Sequence, residues 1–324
     1  MSSITGRSEL DVEPSGDEAS TGRLGDRIFS GLATGSGAFV VLLILLVAAF
    51  LISQAVPALM DNKANFLTDR VWEVNAGSLR FGIPDLLYVT VVSSIVAMLI
   101  AVPIAIAVAL FLTQYAPKRL ATPFGYLVDL LAAVPSIIYG LWGYQVLGPH
   151  VRPVQDFLGN TLGWIPFFEL PASTGTVFLA SVVLAIMILP IVTALSREVF
   201  DQTPLTHKEG ALALGATKWE MIRTAVLPFG TGGVISAAML GLGRALGETI
   251  AVTIIVSTNP GLFRFSLFSG GETFASKIAN NAAEFDTPTK AGAFIAAGLV
   301  LFVLTFVVNA AARIIIERRK AFIE

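Results

Sequence analysis

Six uninterrupted apolar stretches, residues 37–56, 86–112, 124–147, 172–196, 231–256 and 291–312, constrain this chain more than any other feature of its sequence. Each meets the requirement of about 20 apolar residues for a helix that crosses a bilayer. Together they contain three charged residues, Asp129, Arg244 and Glu248. The runs are continuous rather than alternating, which excludes a closed transmembrane β-barrel. The expected fold is therefore an all-α integral membrane protein of six transmembrane helices. Composition agrees: 14% of the 324 residues are charged, against about 25% in soluble domains. The first run lies too far along the chain for a signal-peptide core, and no small-residue cleavage site follows it at Pro57-Ala58-Leu59-Met60, so it reads as a retained anchor.

Cysteine is absent and histidine occurs twice, at His150 and His207, which argues against disulfides, thiol chemistry and a metal centre. No cofactor is expected. A formal net charge of −2 gives no basic surface for nucleic acid. The distribution of basic residues sets the orientation. With both termini in the cytoplasm, the inner segments hold 13 Lys and Arg residues and the outer segments seven, and the run Arg318-Arg319-Lys320 stays inside. The chain then divides into a disordered acidic tail (1–27), a first helix with its outer segment (28–83), a five-helix core (84–316) and a basic cytoplasmic tail (317–324). Outer segments 57–85, 148–171 and 257–290 carry Trp72, Trp164 and several Phe, with Tyr88 at the start of the following run, suited either to the membrane interface or to an external partner.

Residues 203–228, TPLTHKEGALALGATKWEMIRTAVLP, are too polar to span and read as two short helices. Thr206 to Glu209 and Thr217 to Glu220 both fit a capping box, Gly215 suits the break between helices, and Pro228 is expected to stop the second one. Ala211, Leu212, Leu214, Trp219, Met221 and Ile222 give this elbow more apolar surface than a solvated loop needs. It reads either as an interfacial amphipathic helix or as a docking element for a protein. Gly210-(x4)-Gly215-Ala216-Thr217-Lys218 mimics the start of a nucleotide-binding loop, but no G-K-[ST] follows Gly215 and no parallel-strand context exists, so it is not one.

Glu209-Gly210-Ala211, three residues, Gly215, and Leu227-Pro228 at the end resemble the EAA loop of ATP-binding-cassette (ABC) importer permeases of type I. Gly210 replaces an alanine of that pattern, and Ala225 stands where it has isoleucine. The segments Asp129 to Gly143, with Val134-Pro135-Ser136, and Gly241 to Val252, with Gly243-Arg244-Ala245-Leu246-Gly247-Glu248-Thr249, are similar to the third and fifth spans of phosphate-specific permeases of the PstC type. The resemblance covers about residues 84–316. It implies a non-catalytic permease subunit in the cell membrane that works with a PstA-type permease, a PstB-type ATPase dimer and an extracytoplasmic phosphate-binding protein to move inorganic phosphate. It also implies that Glu209, Gly210, Ala211, Gly215 and Trp219 form a coupling helix seated in the ATPase.

A charge near the centre of a span costs about 2.5–3.5 kcal/mol on insertion scales. Arg244 therefore stands out, and Glu248, four residues on, is expected on the same helix face as a neutralising partner. The guanidinium offers a planar fork to oxyanion oxygens, and the carboxylate is an acceptor for a P–O–H proton that sulfate lacks. Gly243-(x3)-Gly247 is expected to let another helix approach closely. Pro135-Ser136 marks either a simple kink or the start of a half-helix facing an anion. Asp129 reads as snorkelling, paired or pathway-facing. The pathway candidates are thus Arg244, Glu248, Ser136 and Thr249. The competing readings are a permease for sulfate, molybdate or tungstate, a secondary transporter, and a membrane-embedded enzyme, for which no nucleophile or metal constellation is visible.

Overall fold

The computed structural model describes residues 22–75, 78–169, 175–257 and 265–320. Most of the expected acidic tail (1–21), the start of the fourth apolar run (172–174), part of the last outer segment (258–264) and the end of the basic tail (321–324) lie outside the described residues. The chain divides into two compact units, the boundary falling after Phe50.

Helix α1 is longer than the first apolar run, extending over Gly22–Asp61. Residues 22–27, expected in the tail, are helical. Up to Phe50 it is an apolar rod whose Phe39, Leu42, Leu45 and Leu46 are all exposed, as suits a lipid-facing helix.

In the second unit the end of α1 buries Ala55 and Ala58 against Ala293 and Ala296 of α12 (Pro288–Lys320). A Cβ on Gly292 would meet the Ala58 methyl at 2.8 Å, so the glycine sets how closely these helices approach. A short antiparallel hairpin that the sequence reading lacked, β1 (Trp72–Asn75) and β2 (Ser78–Phe81), pairs Trp72 with Phe81. The Asn62 amide donates to the Phe81 carbonyl at 2.7 Å and accepts from the Phe81 N–H at 3.1 Å, fixing the hairpin to the end of α1. Trp72 packs on Phe294, so this ring is used inside the chain, whereas Trp164 is exposed.

The centre is α6 (Val177–Asp201), buried along most of its length between α2 (Pro84–Leu110) and α9 (Leu227–Leu246). On α2, Ala97, Ala101, Ala105 and Ala109 recur every four residues and are fully buried. Such a small-residue seam lets helix backbones come close where water supplies no driving force. The Thr176 hydroxyl caps α6 by accepting from the Leu179 N–H, and Gln155 donates to the same oxygen at 2.9 Å.

Two of the six expected spans are not single helices. The third is α3 (Lys118–Ala132) followed by a continuous helical body made of α4 (Ser136–Trp142), a π-turn and α5 (Gly148–Leu162), bent by 91°. The fifth ends at Leu246 and restarts as α10 (Ile250–Ile255). Among the described residues five helices qualify as spans, and six if the bent pair is one. Beyond α10, the outer helix α11 (Phe274–Asn280) is tied to α2 by the Phe274 N–H, which donates to the Thr90 hydroxyl at 3.1 Å. At the other end, α12 runs to Lys320, so residues 317–320 continue the helix rather than form a tail.

Candidate functional site: a cytoplasmic elbow and an interrupted membrane path

The elbow between the fourth and fifth spans consists of α7 (Leu205–Ala213) and α8 (Lys218–Met221). One of the two expected capping boxes forms: Thr217 accepts from the Glu220 N–H, and the Glu220 carboxylate accepts from the Thr217 N–H at 2.7 Å. The Thr206 box does not, because α7 starts two residues earlier than that cap requires, behind Pro204, whose fixed φ suits the entry to a helix. Gly215 takes a φ of 84°, closed to most side chains. Around it the Gly215 N–H donates to Leu212 O and the Ala216 N–H to Ala211 O, the paired bonds of a Schellman cap. Pro228 does not stop the second helix. A π-turn at Ile222–Val226 joins α8 to α9 and leaves Pro228 in the first turn of α9, where its missing N–H is tolerated.

The elbow's apolar residues have two destinations. Met221 and Ile222 are buried with Phe200, Leu110 and Val226, and Ala211 packs against that cluster. Leu212, Leu214 and Trp219 are exposed, Leu214 at 91%. Glu209 and Gly210 are exposed beside them, and a Cβ at Gly210 would meet nothing within 4 Å, so the glycine in place of alanine is not a packing requirement. Lys218 Nζ lies 4.8 Å from the centre of the Tyr115 ring at the end of the second span.

At the break in the third span, Pro135 cannot donate to the Leu131 carbonyl, its partner in a continuous helix. That carbonyl accepts instead from the Tyr139 hydroxyl at 2.9 Å and from the Val134 N–H at 3.3 Å. Of the two readings left open at Pro135-Ser136, the structure has a true interruption. A Cβ on Gly140 would lie 2.9 Å from Ala251 Cα and 3.3 Å from Ile254 Cδ1, and one on Gly143 would meet Val183 and Ile255. These contacts show that α4 and α10 run side by side in the same direction, so Ser136 and Thr249 start neighbouring half-helices.

The expected Arg244–Glu248 ion pair does not form. Helix α9 ends between them at Gly247, and Glu248, 9% exposed, turns to cap α10, its Oε1 accepting from the Ala251 N–H at 3.1 Å. Thr249 Oγ1 donates to the Gly247 carbonyl at 3.2 Å. Arg244 instead lines a recess of 570 Å³ with Ile191, Ser236, Met239, Leu240, Gly243 and Asn309. Ser136, Glu248 and Thr249 are not among the residues that line this recess. Gly243 has nothing within 4 Å of its would-be Cβ, so no helix among the described residues uses it for close approach; it opens onto the recess. Asp129 is paired with Arg197 of α6 at 3.4 Å, and Gly125 leaves room for that guanidinium. Sequence reasoning missed Asn309 and Ser236, although an asparagine inside the run 291–312 is a visible signal.

A bundle of apolar helices interrupted within two of its spans, carrying a helical elbow that is half seated and half exposed, defines a transport permease driven by a separate subunit. The chain belongs to the family of binding-protein-dependent transport system inner membrane components, whose pattern matches residues 101–321; it is an ABC-importer permease, non-catalytic, with its ATPase on another subunit. It is 55% identical over 298 residues, 90% of this chain and 92% of the relative, to the phosphate transport system permease protein PstC 2 of Mycobacterium tuberculosis. To the PstC proteins of Mycobacterium leprae and Haemophilus influenzae it is 56% identical over 273 residues (83% and 86% of the two chains) and 40% identical over 289 residues (86% and 90%). Among solved structures it resembles in fold the inward-facing MetNI methionine ABC transporter (TM-score 0.51, 17% identity, 74% of this chain and 94% of that one). The bacterial ABC transporter for alginate import gives a TM-score of 0.51 at 17% identity, covering 90% and 99%.

Proposed function

We propose that this chain is the PstC-type permease subunit of an ATP-driven importer of inorganic phosphate. The observation that carries the reading is Arg244. Its guanidinium has no carboxylate partner among the described residues, yet it lines an open recess formed by apolar helices α6, α9 and α12, in a chain whose relatives at 55% identity are named phosphate transport permeases. A cation kept there at a cost of a few kcal/mol is accounted for by an anion that passes. Ser136 and Thr249, at the starts of two adjoining half-helices, are the other pathway contacts, and Glu248 serves the pathway by holding the start of α10.

The remaining permease half is a PstA-type subunit, the motor a PstB-type ATPase dimer, and the delivery protein an extracytoplasmic phosphate-binding protein. Glu209, Gly210, Ala211, Gly215 and Trp219 form the ATPase contact. The exposure of Leu212, Leu214 and Trp219 beside Glu209 favours a protein cleft over lipid as the elbow's environment. Both termini lie in the cytoplasm, in keeping with the excess of Lys and Arg on that side.

Co-purification in detergent, followed by inorganic phosphate uptake and phosphate-stimulated ATPase activity in proteoliposomes, tests this reading. Uptake of sulfate or molybdate instead would replace it with a different oxyanion permease, and recovery without any ATPase would point to a secondary transporter. Single cysteines introduced at Ser2 and Ala321 are expected to resist an impermeant maleimide in intact cells, while one at Asn160 reacts. The reverse pattern would invert the topology.

A further inference from the structure

Resting on the phosphate reading above, we infer that the recess beside Arg244 is a halting site for a protonated tetrahedral oxyanion, and that Ser236 and Asn309 supply the acceptors for its P–O–H groups. The chemistry of the three polar side chains carries the inference. Arg244 is a donor only. Ser236 Oγ already donates its proton to the Gly232 carbonyl at 2.9 Å, so what remains is lone pairs. Asn309, brought in from α12, offers both an acceptor oxygen and a donor amide and has no hydrogen-bond partner among the described residues. At neutral pH phosphate carries one or two protons and sulfate none. A site with donors alone suits sulfate, whereas donors facing acceptors suit phosphate.

The spacing fits one such ion. Ser236 and Arg244 are eight residues apart on α9, which places their Cα atoms about 12 Å from each other along the axis. Side chains on a helix lean toward its N-terminus, and the longer arginine reaches back further than the serine. Both line the same recess of 570 Å³ as Asn309, a volume ample for one tetrahedral oxyanion. Glu248, which the sequence alone nominates as the P–O–H acceptor, is nearly buried and engaged with the Ala251 N–H.

The test uses the complete importer in proteoliposomes with saturating phosphate-loaded binding protein. The Ser236→Ala/Asn309→Leu double variant is expected to keep assembly and ATP hydrolysis while phosphate moved per ATP falls about tenfold or more, the scale of a lost bond to a charged partner. Arsenate, which carries the same protons, should fall in parallel. Ser236→Thr/Asn309→Gln, which keeps every donor and acceptor, should restore most transport. Phosphate transport by the double variant within twofold of wild type would overturn the inference. Failure of the wild-type assembly to move phosphate would overturn the functional reading instead. Should the double variant not assemble, Ser236→Ala alone carries the test, with a loss of severalfold expected and an unchanged ratio fatal. Phosphorus found in the purified importer as tightly held phospholipid rather than exchangeable inorganic phosphate would assign the recess to a lipid headgroup and also defeat the proposal.

Discussion

At Pro135 the chain turns through 91° where the ring removes one backbone donor, and Tyr139 satisfies the carbonyl that is left over. At Glu248 no proline is present, and the interruption is held by a carboxylate that caps the next half-helix from 3.1 Å. The first break coincides with a donor missing from the covalent structure and is repaired by a side chain. The second is made by a side chain competing for the backbone, which a polar group achieves only where it is held in place. Both breaks are needed to set α4 and α10 side by side, with Gly140 as the close contact. The comparison indicates that one interruption is robust to its surroundings and the other depends on them.

The largest effect should come from the fragile break. Glu248→Leu leaves N–H groups at the start of α10 without a partner where water is scarce, and should destabilise the chain by about 3 kcal/mol, above the usual range for a lost cap. Glu248→Gln keeps an acceptor oxygen and should cost well under half of that. Unfolding in mixed detergent micelles measures both, and equal stability of the two variants would show that the cap does not hold this break. Next comes the joint between the two half-helices. Gly140→Val forces a branched side chain onto Ala251 and should cost about 2 kcal/mol, within the range for overpacking; the same unfolding assay reads it, and wild-type stability would mean that α4 and α10 separate freely.

Smaller effects are expected at the proline break. Tyr139→Phe removes the hydroxyl that donates to Leu131 and should cost about 1 kcal/mol, with the fold kept. Pro135→Ala restores the missing N–H, yet the bend should persist and stability should change by less than about 1 kcal/mol, because Gly140 and Gly143 already seat α4 on its neighbours. Spin labels on α3 and α5 report the outcome as a distance: an unchanged distribution supports the expectation, and a lengthened one would show that proline alone makes the turn.

The two regions also differ in how far they were legible. Proline announces its break by its own covalent structure. In Gly247-Glu248-Thr249 the i,i+4 spacing of Arg244 and Glu248 suggested a pair on one helix face, an inference valid only while the helix continues. The elbow shows the same limit on a smaller scale: Gly215 and the Thr217–Glu220 box were readable as local arrangements, while the Thr206 box and Pro228 were misread because Pro204 opens the first helix earlier and a π-turn carries the second past Pro228.

Sequence by itself determined the membrane class, the approximate positions of the spans, the helical elbow between the fourth and fifth of them and the place of Arg244 as a charge in an apolar run. These are properties of a solvent preference and of local backbone chemistry, and both act within a few residues. Tertiary structure alone decided that Glu248 caps rather than pairs, that Asp129 meets Arg197 of α6, and that Met221 and Ile222 are seated while Leu214 and Trp219 stay open. It also brought Asn309 across from α12 to the recess that holds Arg244. Contacts between residues tens of positions apart depend on which helices pack together, and in an apolar solvent that packing is set by small-residue seams and polar partners that a hydropathy pattern does not encode.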